Sequence, residues 1–157
     1  MKIRPFAHSD APTLYAIQLK CPQAGQWHEH DYLEVALDEN ATILVVETET
    51  SPPREVAGFL VIQRVMDEAE IRNLAIDPSY QRKGVARALL AEGIRRMESL
   101  GARRLFLEVR ASNWAAIELY RRTGFHPLYT RPGYYRDPAD DALVMACDLA
   151  SPSDMLS

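Results

Sequence analysis

Six residues, Gln81-Arg82-Lys83-Gly84-Val85-Ala86, are the stretch of this chain best suited to hold a charged ligand. They follow an apolar run, Leu74-Ala75-Ile76-Asp77-Pro78, that reads as the end of a strand, and they open onto an amphipathic segment from Val85 to Leu100. Glycine where a strand gives way to a helix lets several backbone N–H groups turn toward one point, and the helix dipole adds partial positive charge there. Arg82, Lys83 and Arg87 supply further charge. The chemistry this favours is phosphate binding; the alternative is an ordinary strand-to-helix turn carrying surface cations. The dinucleotide fingerprint Gly-x-Gly-x-x-Gly and the ATPase loop Gly-x-x-x-x-Gly-Lys-Ser/Thr do not fit, because the pattern here is Gln-x-x-Gly-x-Ala.

The elements that must position this loop can be read from periodicity and caps. Lys2 to Pro5 is a short strand, and Ser9-Asp10 signals the start of a helix in which Leu14, Ile17 and Cys21 share a face until Pro22 and Gly25 end it. A second helix is expected from about His28 to Leu37, with Tyr32, Val35 and Ala36 on its less polar side. Ala41 to Thr48, Val56 to Val65 and Ala69 to Ile76 read as strands, with a turn at Ser51-Pro52-Pro53 and a short connection at Met66-Asp67-Glu68. In the long helix, Val85, Leu89, Leu90, Ile94, Met97 and Leu100 repeat as one buried stripe, and Gly101 closes it. Arg104 to Val109 alternates Leu105, Leu107 and Val109 against Phe106 and Glu108, a strand with two different faces. Ala111-Ser112-Asn113 caps a helix from Trp114 to Arg122 that Gly124 ends. Phe125 to Tyr129 and Ala142 to Leu149 read as the last strands, and Arg131 to Pro138 between them is too rich in Pro and Gly for regular structure. The whole reads as one α/β domain over residues 1–150, followed by a disordered tail at 151–157.

Composition narrows the function classes. At 157 residues, 47% hydrophobic and 25% charged, the chain can bury a core without disulfide or metal staples. A net charge of -4 disfavours a general nucleic-acid binder. No apolar run reaches the length of a membrane span, and Met1-Lys2-Ile3-Arg4-Pro5 lacks a signal peptide's apolar core, so the expected location is cytoplasmic. Cys21 and Cys147 read as reduced thiols, and neither they nor His8, His28, His30 and His126 have metal-ligand spacing; no metal is expected.

The segment Leu74-Ala75-Ile76-Asp77-Pro78-x-Tyr80-Gln81-Arg82-Lys83-Gly84-Val85-Ala86 resembles the acetyl-CoA-binding segment of the GNAT superfamily of N-acetyltransferases. Glu108-Val109-Arg110-Ala111-Ser112-Asn113, Ala116-Ile117-x-Leu119-Tyr120, Gly124-Phe125 and Arg131-x-x-Tyr134-Tyr135 with Asp141 to Met145 resemble more narrowly the RimI-type ribosomal-protein N-terminal alanine acetyltransferases. The likeness covers Ala69 to about Leu149 and is thin before Ala69. It implies a central, mostly antiparallel sheet of about seven strands with about four helices. It also implies that the strand ending at Leu74, Ala75 and Ile76 splays from the strand ending at Glu108, with the pantetheine arm of acetyl-CoA lying along backbone in that gap. The pyrophosphate would rest on N–H groups from Arg82 to Arg87, where Gly84 permits close approach and Ala86 stands in place of a frequent glycine. Gln81, Lys83 and Val85 belong to the same cofactor segment, and Asn113, a helix cap in its own right, would touch the pantetheine.

Acetyl transfer to an amine needs a base for the amine, a donor for the developing oxyanion and a proton for the departing thiolate. A peptide α-amine, with a pKa of about 8 when free, needs only modest help. The resemblance assigns the base to Glu108, which alternation places opposite Leu105, Leu107 and Val109. Glu70 on the neighbouring strand is the rival, and a salt-bridged surface glutamate is the alternative for Glu108. Tyr120, two turns beyond Asn113, is the matching general acid; otherwise it is a core tyrosine. The oxyanion donor is expected to be a backbone N–H near Ile76, and no nucleophile–base pair suggests a covalent intermediate.

On the acceptor side, Trp27, Tyr134 and Tyr135 are expected to wall a site for an extended peptide N-terminus. Three readings follow: acetylation of an alanine-starting small-subunit ribosomal protein, acetylation of a small-molecule amine, or a non-catalytic acyl-CoA-binding sensor. The presence of both Glu108 and Tyr120 weighs against the third.

Overall fold

Ala57 to Ile62 is an unbroken run of buried residues, as expected of a strand covered on both faces. It lies in β3 (Val56–Val65), and the other elements are assembled about such runs. The computed structural model describes residues 1–49 and 53–150; the expected turn at Ser51-Pro52 and the expected tail after Ala150 fall outside them. In chain order the elements are β1 (Lys2–Pro5), α1 (Ala11–Leu19), α2 (Glu29–Ala36), β2 (Ala41–Glu47), β3, β4 (Glu68–Ile76), α3 (Val85–Ser99), β5 (Arg104–Arg110), α4 (Trp114–Arg122), β6 (His126–Tyr135) and β7 (Asp140–Asp148). The strands hydrogen-bond in the order β1-β2-β3-β4-β5-β7-β6. β4 and β5 run parallel, while β1–β2, β2–β3, β5–β7 and β6–β7 are antiparallel. The mixed, mostly antiparallel sheet with four α-helices matches the expected architecture.

The chain divides into two compact units. The first comprises Met1–Gln63 with Arg72–Gly93, and the second comprises Arg64–Ile71 with the chain from Ile94 onward. In the first, Leu14 and Ile17 of α1, Tyr32 of α2, Ile43 and Val45 of β2, Phe59 and Val61 of β3 and Ala75 of β4 form one core cluster. Each large side chain so buried stabilises the fold by roughly 2 kcal/mol. α3 lies tightly on β3: a Cβ at Gly93 would stand 2.8 Å from both Ile62 Cδ1 and Leu60 Cδ2, so a larger residue there would require those two buried side-chain ends to shift. In the second unit, β5 alternates as expected, with Leu105, Leu107 and Val109 buried and the residues between them half-buried.

Two expectations are corrected. Arg131 to Pro138 is not all irregular: β6 continues through Tyr135, pairing Arg131 with Ala142 and Tyr135 with Asp140 across a register shift. Proline and glycine are tolerated here because β6 ends the strand order, so Pro132 withholds no N–H from a second neighbour, and Gly133 takes φ +60° at the irregularity. Leu100 does not complete the stripe of α3. It lies beyond the last helical residue, Ser99, and is 50% exposed. Among the described residues, no helix is long and apolar enough to cross a membrane.

Candidate active site

In the first unit, β4 ends at Ile76 and Asp77 begins a short turn, its carboxylate accepting the Ser79 N–H at 2.9 Å. The loop that follows is folded back onto the strand: Gln81 Nε2 donates to the Ile76 carbonyl at 3.0 Å. The Gln81 side chain thus holds the loop in place. Arg82 and Gly84 both take positive φ, +62° and +80°. The left-handed turn at Arg82 carries no sequence signal, since non-glycine residues rarely adopt it. The first backbone bond of α3 runs from the Ala88 N–H to the Gly84 carbonyl, at 3.0 Å. The N–H groups of Val85, Ala86 and Arg87 therefore precede any helical acceptor and stand at the positive end of a fifteen-residue helix. Arg82, Lys83 and Arg87 are exposed, and nothing lies within 4 Å of where a Gly84 Cβ would be. Such a loop fits a pyrophosphate.

The same unit holds Trp27, half-buried, its ring centroid 5.0 Å from that of Tyr32 and 5.7 Å from the Arg72 guanidinium. The backbone of Leu74 is engaged from within its own strand, its N–H reaching the Asn73 carboxamide oxygen at 3.0 Å. Ala75 and Ile76 are buried.

In the second unit, register decides which side chains share a face. β4 and β5 pair Glu70 with Phe106. Glu108 lies two residues on, so Glu70 and Glu108 project to the same side. Glu108 and Tyr129 are both register partners of Val144, which sends Tyr129 and Arg131 to that side as well. Glu108 Oε1 lies 3.6 Å from Arg131 Nη1, and the Glu108 side chain is 23% exposed. The Arg131 guanidinium also sits 5.7 Å from the ring centroids of Tyr129 and Tyr134. A hydrogen bond to Glu108, reinforced by the Glu108 charge, holds the Tyr134 phenol above its ordinary pKa, and Glu70 contributes in the same direction. Tyr135 is raised chiefly by burial and then by the Glu108 charge. Its ring packs edge-on to that of Tyr134 at 5.1 Å and carries the Arg110 guanidinium at 4.4 Å. The carboxylates of Glu70 and Glu108, the phenols of Tyr129, Tyr134 and Tyr135 and the guanidinium groups of Arg131 and Arg110 are thus gathered where an ammonium ion and its proton can be handled.

Asn113 caps α4, its Oδ1 accepting the Ala116 N–H at 3.3 Å. Tyr120 lies inside that helix and is only 8% exposed, its ring set edge-on against Phe125 at 5.6 Å. Burial, with a smaller contribution from Tyr135, pushes its phenol well above the ordinary value of 10.0, so it keeps its proton at neutral pH. That is the state from which an acid must start. Arg131 stands in the Arg131-x-x-Tyr134-Tyr135 stretch with no role that the sequence attaches to it, yet it lies beside Glu108. Its pairing with Glu108 depends on the β5–β7–β6 register, which no local pattern reveals.

Elsewhere, Cys21 and Cys147 are free thiols. His30, Asp31 and Glu34 bring potential ligand atoms within 4.8 Å of one another on α2. His30 and Glu34 are exposed, and a helical turn alone explains their proximity.

Comparison with known proteins shows the family. The model of the Acetyltransferase (GNAT) family matches residues 11–125. The [ribosomal protein bS18]-alanine N-acetyltransferase of Escherichia coli strain K12 is 36% identical over 144 residues, covering 90% of this chain and 93% of that protein. A Bacillus subtilis protein named "Putative [ribosomal protein bS18]-alanine N-acetyltransferase" is 33% identical over 143 residues, covering 91% of this chain and 92% of that protein. The crystal structure of the ribosomal-protein-S18-alanine N-acetyltransferase from Escherichia coli superimposes with a TM-score of 0.82 at 36% identity, covering 95% of this chain and 94% of that one. This chain belongs to the GNAT family of acetyltransferases.

Proposed function

We propose that this protein transfers the acetyl group of acetyl-CoA to the N-terminal α-amine of a protein that begins with alanine, its ribosomal acceptor being bS18. The observation that carries this reading is the full-length likeness to bS18-alanine N-acetyltransferases, at 36% and 33% identity over nine-tenths of the chain. The Glu108–Tyr134–Arg131 group supports it by offering a carboxylate and flat phenolic walls suited to an extended N-terminus.

Acetyl-CoA supplies, when bound, an activated thioester carbonyl. The N–H groups from Arg82 to Arg87 and the cations of Arg82, Lys83 and Arg87 would hold its phosphates, and Leu74, Ala75, Ile76 and Asn113 would line its arm. Glu108 takes the proton of the acceptor ammonium, directly or through one water, leaving the nitrogen lone pair free to attack. Formation of the C–N bond would oblige the nitrogen to shed its second proton to water, and the C–S bond would break with the sulfur taking the proton of Tyr120. Solvent would then return a proton to Tyr120 and remove the one held by Glu108. Glu70, on the same face, assists as a second negative charge that draws the ammonium in. Trp27, Tyr134 and Tyr135 orient the acceptor backbone.

The direct test is thiol release by purified protein with acetyl-CoA and peptides beginning with alanine or serine, run beside a panel of small amines. Turnover with the alanine-starting peptide is the expected result. Turnover with small amines alone, or acetyl-CoA binding without thiol release, contradicts the proposal.

A further inference from the structure

Residues 20 to 27, which link α1 to α2, run antiparallel to residues 77 to 72 and are fastened along their length. Lys20 Nζ lies 3.2 Å from Asp77 Oδ2, Cys21 Sγ donates to the Ile76 carbonyl at 3.2 Å, and the Gly25 N–H donates to Asn73 Oδ1 at 3.0 Å. At the far end the Arg72 guanidinium covers the Trp27 ring. A chain of buried polar groups then turns back from the strand to the loop. Asn73 Nδ2 donates to Tyr32 Oη at 3.2 Å, Tyr32 Oη donates to Gln18 Oε1, and Gln18 Nε2 donates to the Trp27 carbonyl at 2.7 Å. Asn73, Tyr32 and Gln18 are 4%, 0% and 7% exposed.

The direction of this relay is fixed. The Tyr32 hydroxyl has one proton, so accepting from Asn73 obliges it to donate to Gln18, and Gln18, having spent its oxygen, must present its N–H to Trp27. Asn73 Oδ1 meanwhile accepts from both Gly25 and Leu74. One carboxamide therefore grips the loop twice, at Gly25 directly and at Trp27 through two other side chains. Buried networks satisfied to this degree fix one geometry rather than merely adding stability. A surface connection with no task beyond joining two helices is ordinarily left to solvent.

We propose that Asn73 is a positioning residue for acceptor recognition: by gripping the 20–27 loop it holds Trp27 at the height the acceptor's first residues require. This rests on the reading of Trp27 as a wall of the acceptor site. Loss of the grip weakens acceptor binding and leaves the chemical step and acetyl-CoA binding in place.

The chain contains two tryptophans, and Trp114 is 79% exposed, so a Trp114→Phe background leaves Trp27 as the sole indole reporter. In that background Asn73→Ala and, separately, Tyr32→Phe are compared with the parent. Tyr32→Phe keeps the apolar packing and cuts only the relay, which preserves the test where Asn73→Ala folds poorly. The expected result is an increase in acrylamide quenching of Trp27 together with a rise of about tenfold in the KM for the alanine-starting peptide, the effect of one lost hydrogen bond. The kcat at saturating peptide and the KM for acetyl-CoA stay within about twofold. Unchanged Trp27 quenching overturns the positioning role. A loosened Trp27 with unchanged peptide KM, or a fall in kcat alone, overturns the link to the acceptor. Failure of the parent protein to acetylate the peptide is a separate result: it defeats the functional reading and the acceptor half of this inference with it, while Trp27 quenching still decides whether Asn73 holds the loop.

Discussion

Glu108 on β5 faces Arg131 on β6 across the intervening strand β7, with 3.6 Å between Oε1 and Nη1. The separation is that of an ion pair, but the guanidinium is divided among Glu108, the Tyr129 hydroxyl at 3.2 Å and two tyrosine rings. Glu108 is therefore not locked in a two-toothed salt bridge. One of its oxygens meets an exposed cation that is shared with Tyr129 and Tyr134. A salt-bridged surface glutamate and a general base are distinguished by substitution.

Glu108→Gln keeps the shape and removes the basicity. Turnover is expected to fall by about 10² to 10⁴, the range for loss of a general base, with the dissociation constant for acetyl-CoA unchanged. Steady-state kinetics beside calorimetric titration check this. Near-normal turnover in Glu108→Gln with a collapse in Glu70→Gln would transfer the role to Glu70.

Tyr120→Phe removes one hydroxyl from a ring held by Phe125. The packing survives, so the melting temperature should shift by no more than a few degrees, since a change of about 1 kcal/mol moves a domain of this size by about 2–4 °C. Turnover should drop by about tenfold or more, because the thiolate then leaves without its proton. The loss should shrink with a thioester whose thiol is more acidic and so leaves unaided. Equal defects with both thioesters would return Tyr120 to the core.

Much of this was legible in the sequence because it is local. The Gly84 loop, the stripe of α3, the alternation of β5 and the Asn113 cap are each written in residues within one turn or one strand of each other, and β3 and α4 begin and end where the pattern says. What was hidden depends on partners far along the chain. Proline and glycine in 131–138 carry the signal of a loop, and only the position of β6 at the end of the sheet makes them compatible with a strand. The backbone conformation at Arg82 is imposed by the fold, because its side chain gives no reason for a positive φ. The meeting of Gln18, Tyr32 and Asn73 joins two helices and a strand, and no periodicity links them.

Gly84→Ala tests the anion loop. The added methyl meets nothing within 4 Å, so sterics with neighbours are not the issue; the backbone φ of +80° is. An alanine there costs about 1 kcal/mol or somewhat more, whether by strain or by relaxation of the loop out of its phosphate-binding shape. Differential scanning fluorimetry with and without coenzyme A separates two consequences. The free protein should melt only a few degrees lower, while the stabilisation conferred by coenzyme A should largely disappear. A variant that retains the full ligand-induced shift would show that Gly84 does not shape the phosphate site.

The acid limit of stability should be set in part by Asp10. Its carboxylate accepts from Arg4 Nη1 and Nη2, both at 2.8 Å, and from the Ala7 N–H at 2.7 Å, while Arg4 Nε donates to Glu47 at 2.9 Å. Burial alone would raise the Asp10 pKa, but the Arg4 hydrogen bonds, the Ala7 N–H and the Arg4 charge together bring it below the ordinary 3.8. A carboxyl whose folded pKa is depressed contributes stability above its unfolded pKa and loses it as pH falls through the folded value. Unfolding free energy should therefore be flat with respect to this group from neutrality to about pH 5 and decline below about pH 4. Asp10→Asn should lower stability at neutral pH by about 2 kcal/mol, as expected for losing charge-assisted hydrogen bonds, and should flatten the acid limb. Urea unfolding at a series of pH values measures both. A variant with the parent's acid slope would assign that slope to other carboxylates, and the paired lowering of Glu47, held chiefly by its hydrogen bond from Arg4, makes Glu47→Gln the next substitution to measure.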